Sequence, residues 1–176
     1  MIETEAALLL RDFVNTLDVE VAADEIATPG RLADWLAGRG LVPAGTTAAA
    51  GDLARAVTLR EGLRAAMLGH HGPAPAELPA GLAEALAALP LRVVLTGERP
   101  ALAPLATGAG AGLARIAAAI VDSAADGSWP RLKVCQEGTC AWAFLDTSKN
   151  RSRTWCSMRV CGNRTKTRAY RARQKT

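Results

Sequence analysis

Apolar positions in the first two thirds of the chain recur mostly with the spacing of helices that pack along one side. Ala6, Leu9, Leu10, Phe13, Val14 and Leu17 follow the i, i+3, i+4 rhythm of a single buried face. Thr28-Pro29 reads as an N-cap with proline at the first helical position. It predicts a short helix that turns Leu32, Trp35 and Leu36 inward and ends at Gly38 and Gly40. A third helix is predicted over 52–68, with Leu53, Ala56, Val57, Leu63 and Met67 facing the core. The stretch from Gly69 to Pro79, with prolines at 73, 75 and 79, reads as a loop. Leu82, Ala85, Leu86 and Leu89 mark a further short helix. Leu91 to Thr96 is the best strand of this part. A turn at Gly97-Glu98-Arg99-Pro100 and a weaker extended run from Ala101 to Leu105 follow it. Leu113, Ile116, Ala117, Ile120, Val121 and Ala124 define another amphipathic helix, which Asp126-Gly127-Ser128-Trp129-Pro130 breaks.

Beyond that break the pattern changes. Leu132 to Cys135 and Ala141 to Leu145 read as the strands of a hairpin turning through Gln136-Glu137-Gly138-Thr139. From Arg159 or Gly162 onward the chain reads as a helix with only Ala169, Tyr170 and Ala172 to bury. The predicted class is α+β. A mainly helical domain with a short β-hairpin spans 1–128, and a small module, a hairpin followed by a helix, spans 131–176.

Charge follows the same division. Residues 131–176 carry 12 lysines and arginines against Glu137 and Asp146, a balance of +10, whereas residues 1–130 carry nine arginines and 15 acids, a balance of −6. Every lysine lies in the C-terminal part. Such asymmetry points to a polyanion-binding module attached to something else. No apolar run approaches the roughly 18 residues of a membrane span, and the first five residues are acidic where a secretory signal is basic. The expectation is a cytoplasmic protein that does not engage membranes.

All four cysteines fall in the basic module, as Cys135-x4-Cys140 and Cys156-x4-Cys161. In a reducing compartment two such pairs suit a tetrahedral zinc ion better than disulfides. Four thiolates leave no coordination place for water, so the site is expected to hold one structural zinc and to do no chemistry itself. A 46-residue module is too small to fold on its apolar surface alone, so metal would replace the missing core, with Trp142, Phe144 and Trp155 packed over it. Lys133, Arg151, Arg153, Arg159 and Arg164 are near enough in sequence to offset the thiolate charge.

On the terminal helix Arg164, Arg168, Arg171 and Lys175 share one face, with Lys166 and Arg173 to the side; Asn163 adds an amide. With Arg151, Arg153 and Arg159 they form the candidate nucleic-acid surface, and a helix-borne arginine stripe favours duplex DNA over RNA. In the N-terminal part Asn15 and Thr16 interrupt an apolar face, and Arg60 and Arg64 lie one turn apart. These four either line a site for a small-molecule effector or serve neighbouring helix ends and salt bridges. His70-His71-Gly72 has no acid or cysteine nearby to complete a catalytic or metal set. No phosphate loop, Ser/His/Asp set or carboxylate pair stands out, so an enzyme is not expected.

The segment Cys135-x4-Cys140-Ala141-Trp142-x-Phe144-x-Asp146-x-Ser148-x-Asn150-x-x-Arg153-x-Trp155-Cys156-Ser157-Met158-x-x-Cys161-Gly162-Asn163-Arg164 resembles the CGNR zinc finger, with Thr154 where a second arginine is common. Phe13-Val14-Asn15-Thr16-Leu17-Asp18, Trp35-Leu36 and Leu59-Arg60-Glu61-x-Leu63-Arg64 are similar to the ABATE domain, which usually precedes this finger in bacterial proteins. The resemblance implies a zinc-dependent, stress-related transcriptional regulator that binds DNA and whose N-terminal domain senses a signal or forms a homodimer. Two alternatives stand beside it. One is a thiol switch in which oxidation expels zinc; the other is an RNA- or protein-binding adaptor.

Overall fold

The computed structural model describes residues 4–72, 81–95 and 100–174. The expected loop from 73 to 79, the end of the strand at Thr96, most of the 97–100 turn and Lys175 lie outside those residues.

Local sequence accounts for the helix ends. Helix α1 (Glu5–Val14) is capped by the Thr4 hydroxyl, which accepts the Ala7 amide at 3.3 Å. A two-residue strand pair follows, β1 (Leu17–Asp18) against β2 (Ala23–Asp24), which the hydrophobic pattern did not predict. Helix α2 (Pro29–Gly38) starts where Thr28 accepts the Arg31 amide, and Gly40 then takes a left-handed φ of +67° to turn the chain back. Helix α3 (Ala50–Gly69) is the longest, and the Asp52 carboxylate accepts the Ala49 amide at its start. Helix α4 (Leu82–Ala87) precedes the antiparallel pair β3 (Leu91–Val94) and β4 (Ala101–Pro104), whose register sets Leu91 opposite Pro104. Helix α5 (Gly108–Ala125) closes the N-terminal part.

Leu10 and Phe13 of α1, Leu32 and Leu36 of α2, Leu59, Leu63 and Met67 of α3, and Leu113 and Ile116 of α5 meet in one apolar core. Helix α5 departs from expectation in its last turn. Its buried line runs through Ala109, Leu113, Ile116 and Ala119, so Val121 (53% exposed) and Ala124 face outward, although the pattern placed both inside. Glycine is required where α3 and α4 cross. A Cβ on Gly62 would lie 2.9 Å from Leu82 Cβ and 2.7 Å from Leu82 Cδ1. Gly62→Ala should therefore destabilise the protein by about 1–3 kcal/mol, read as a lower urea midpoint with an unchanged slope.

After a turn at Asp126–Ser128, the chain enters the last strand pair, β5 (Leu132–Val134) and β6 (Ala143–Leu145), as expected. The register Leu132↔Leu145, Lys133↔Phe144, Val134↔Ala143 gives this hairpin two different faces. Leu132, Val134, Ala143 and Leu145 join the N-terminal core, whereas Phe144 packs with the cysteines. A π-type turn (Met158–Gly162) then leads into helix α6 (Asn163–Arg173).

Candidate metal centre and basic helix

The first cysteine pair sits on the loop between β5 and β6. The second brackets Ser157 and the π-type turn, where the Ser157 hydroxyl accepts the Val160 amide. This folding brings the Sγ atoms of Cys135, Cys140, Cys156 and Cys161 within 4.8 Å of one another, with Cys140–Cys156 and Cys156–Cys161 at 3.6 Å. Metal–sulfur bonds of about 2.3 Å set tetrahedral sulfurs about 3.8 Å apart, so the set has the dimensions of a zinc site. Three of the four are buried and Cys156 is half-buried. Burial pushes the Cys140 thiol up to about 11, and burial with the neighbouring thiols raises Cys156 also. Each thiol must shed its proton on binding a cation, and an all-thiolate shell leaves no open place. These residues fit one structural zinc ion.

Ala141, directly after Cys140, adopts φ +50°, and its carbonyl turns to accept Arg64 Nη1 at 2.6 Å. That bond belongs to a set by which the N-terminal domain holds the hairpin. The Asn15 amide donates to the Ala143 carbonyl (2.9 Å) and accepts the Ala143 N–H (2.7 Å), pairing the open edge of β6 as a third strand would. On the β5 edge His70 Nδ1 and His71 Nε2 each lie 2.6 Å from a carbonyl, of Leu132 and Val134. A carbonyl only accepts, so each of these nitrogens carries the proton.

Thr16 donates to the Phe13 carbonyl and accepts Arg60, which forms two bonds with Asp24 and a third with Glu61. Arg64 also donates to Glu61 and to the carbonyls of Val14 and Leu17. The structure thus ties the polar groups of Asn15, Thr16, Arg60 and Arg64 to the protein itself. Asn15 also edges a groove of about 540 Å³ between α1 and β6, lined by Arg11, Asp12, Arg39, Trp142 and Arg153 among others. Asn15→Asp keeps the shape but turns the donor into an acceptor facing the Ala143 carbonyl. It should cost about 1–3 kcal/mol in urea unfolding.

Charges around the centre are distributed differently from the sequence expectation. Lys133 does not offset thiolates. Its ammonium is buried against Asp146 at 2.8 Å and also donates to the Arg151 carbonyl. Asp146 accepts the Ser148 amide and hydroxyl and the Arg153 amide as well. Arg153 lies over the Phe144 ring, 4.9 Å from its centroid, and donates to the carbonyls of Trp155 and Cys156. Trp142, expected over the metal, is 37% exposed, while Phe144 is buried and Trp155 half-buried.

Helix α6 buries no residue. On one face Arg168 Nη2 donates to Glu137 Oε1 at 2.8 Å, and Arg164 reaches Glu20 of the β1–β2 turn at 2.9 Å and Glu137 at 3.5 Å. Glu137, between the first two cysteines, is fully buried and also accepts the Thr139 amide and hydroxyl. The Thr139 hydroxyl first, then its amide and Arg168, outweigh burial and hold the Glu137 carboxyl below its ordinary value. Arg151, Arg159, Lys166, Arg171 and Arg173 are exposed and form no ion pair among the described residues. Asn163 donates to the Arg159 carbonyl, tying the start of α6 to the turn before it. Glu137 and the two histidines are the residues sequence reasoning left without a role, and Asp146 entered it only as turn chemistry within the finger motif. The only visible signal was two acids retained in an otherwise basic module.

A four-cysteine centre in this hairpin–turn–helix setting defines a zinc-finger protein. Residues 131–174 match the CGNR zinc finger, and residues 8–127 match ABATE, whose description reads "Putative stress-induced transcription regulator". The chain belongs to the ABATE family and carries a C-terminal CGNR zinc finger. No curated protein matches the chain. Among the described residues no helix is long and apolar enough to cross a membrane.

Proposed function

We propose that this protein is a cytoplasmic, stress-related transcriptional regulator that binds duplex DNA, with zinc as the scaffold that presents α6. The observation that carries this reading is α6 itself. It holds five lysines and arginines, no acid and no buried residue. Among the described residues, acids of the protein itself pair with Arg164 and Arg168 but not with Lys166, Arg171 and Arg173, for which a polyanionic partner gives a reason. No acidic residue follows Asp146 in the chain. A helix diameter suits the major groove, and the family description of residues 8–127 concerns transcription. The N-terminal domain acts as the sensing or dimerising part, and the groove between α1 and β6 is where an effector would bear on both parts at once. The protein is not an enzyme on this reading.

Gel shifts of zinc-loaded protein with genomic duplex and with single-stranded RNA, across a salt series, test it. Duplex should bind more tightly, with affinity falling steeply as salt rises. Equal, weak binding to every nucleic acid would sink the proposal.

A further inference from the structure

Helix α6 has two faces that the protein treats differently. Arg164 and Arg168 lie on one, committed to Glu20 and Glu137. Asn163, Lys166, Tyr170 and Arg173 follow at i, i+3, i+7 and i+10 on the other, all exposed, with Arg159 just before them. Glu137 is an unusual residue for a module of this charge. It is a fully buried carboxylate, and burying it costs desolvation while its charge opposes a polyanionic partner. Both of its oxygens are engaged. The Thr139 amide and hydroxyl fix one within the cysteine loop, and Arg168 takes the other.

Resting on the DNA-binding reading, we infer that the face bearing Asn163, Lys166, Tyr170 and Arg173 meets the duplex and that Glu137 is a positioning residue. Through Arg168 and Arg164 it sets the angle at which the cysteine loop presents that face. The opposite assignment, with Arg164 and Arg168 on phosphates, would take both arginines from a buried carboxylate each time DNA bound and leave it only the Thr139 amide and hydroxyl. The gain of a phosphate contact would then be offset by the loss of the charge partners of Glu137. Glu20 adds a second tether at Arg164 from the N-terminal domain, so the angle is referenced to both parts of the chain.

The sign of one substitution separates the two assignments. Glu137→Gln removes a negative charge, which by itself tightens binding to a polyanion. A positioning role requires the reverse, a loss of about tenfold in duplex affinity with one zinc still bound per chain. Arg168→Ala should show the same loss with the wild-type salt slope, and the double variant should be no worse than either single one. Lys166→Ala should instead lower the log–log salt slope by about 0.9. Amide exchange in the free protein reads the strut without nucleic acid. Glu137→Gln should speed exchange over 164–172, and Lys166→Ala should not. Unchanged or tighter duplex binding by Glu137→Gln, unchanged exchange, or a slope lowered by about 0.9 in Arg168→Ala would each overturn the positioning role. A wild-type protein that binds no duplex at any salt would overturn the DNA reading instead, and the exchange result would still decide the strut.

Discussion

Cys156→Ser should release zinc, melt the chain from the π-type turn through α6, and lower the stability of the N-terminal domain as well. Cys156 lies 3.6 Å from both Cys140 and Cys161, and its loss leaves three thiolates where a closed four-ligand shell stood. Apart from the bonds around Asp146 and Arg153, little else holds the segment after Leu145. Among the described residues Asp146, Cys161 and Gly162 are its buried ones, and α6 is attached through the ion pairs of Arg164 and Arg168. Zinc binding in finger peptides is worth on the order of 10–16 kcal/mol, comparable to the entire stability of a domain. The effect on the N-terminal part follows from the hairpin. Leu132, Val134, Ala143 and Leu145 belong to the same apolar cluster as Phe13, Leu59 and Leu63, and Arg64 reaches the Ala141 carbonyl beside Cys140. A boundary at 126–130 taken alone would leave the N-terminal transition untouched. The shared core predicts that it moves down by about 2–4 °C for each kcal/mol lost. Circular dichroism should show the loss of α6 helicity at low temperature and a single transition at a lower midpoint. A residual transition at the wild-type temperature would show that the core, though continuous, is not cooperative across the turn.

How much was legible in the sequence depended on whether a feature was local. Helix caps at Thr28 and the four-cysteine spacing are written within a few residues, and the structure reproduces both. The helical faces of α1 to α3 were legible in their main lines because leucine, phenylalanine and methionine at helical spacing leave few choices of inner face. Even so, Leu17 falls in β1 beyond the helix, and α3 buries Leu59 where Val57 was expected. The last turn of α5 was not legible. In an alanine-rich helix several faces are nearly equivalent, and which one is buried depends on where the core ends, a tertiary fact. The two-residue pair β1–β2 is too short to leave a periodic signal. The candidate residues divide the same way. The metal ligands could be named because one residue type at fixed spacing specifies the chemistry. The partners of Asn15, His70, His71 and Arg64 lie 62 or more positions away where they meet the hairpin, and nothing in their immediate sequence announces a strand edge waiting to be paired. Charge periodicity shows that Arg164 and Arg168 share a face. It does not show that acids from other elements, Glu20 and Glu137, pair with them there.

The second large effect should come from Asp146. Its side chain is completely buried, and it accepts Lys133, the Ser148 amide and hydroxyl, and the Arg153 amide. Burial alone would raise its pKa. The hydrogen bond from Lys133, then those from Ser148 and Arg153, overcome that and hold it down to about 2, well below the ordinary aspartate range. A carboxyl whose folded pKa is depressed contributes stability above its unfolded value and loses it as the folded value is approached. Protein stability should therefore fall as pH drops from about 4 toward 2. Asp146→Ala removes one partner of a buried ion pair and strands the Lys133 ammonium, which should cost about 3–5 kcal/mol. Lys133→Met strands the carboxylate in turn, but Ser148 and Arg153 still serve it, so its cost should be smaller. The double variant Lys133→Met/Asp146→Leu discriminates between charge and architecture. If the pair mattered only as two opposite charges, an apolar replacement of similar volume would restore stability. The structure predicts incomplete rescue, because the amides of Ser148 and Arg153 also turn on Asp146, and those amides set the path from β6 to the second cysteine pair. Urea midpoints with zinc content measured in parallel would decide this. Full recovery of both in the double variant would reduce Asp146 to an electrostatic partner, whereas restored stability with weakened zinc binding would identify it as the support of Cys156 and Cys161.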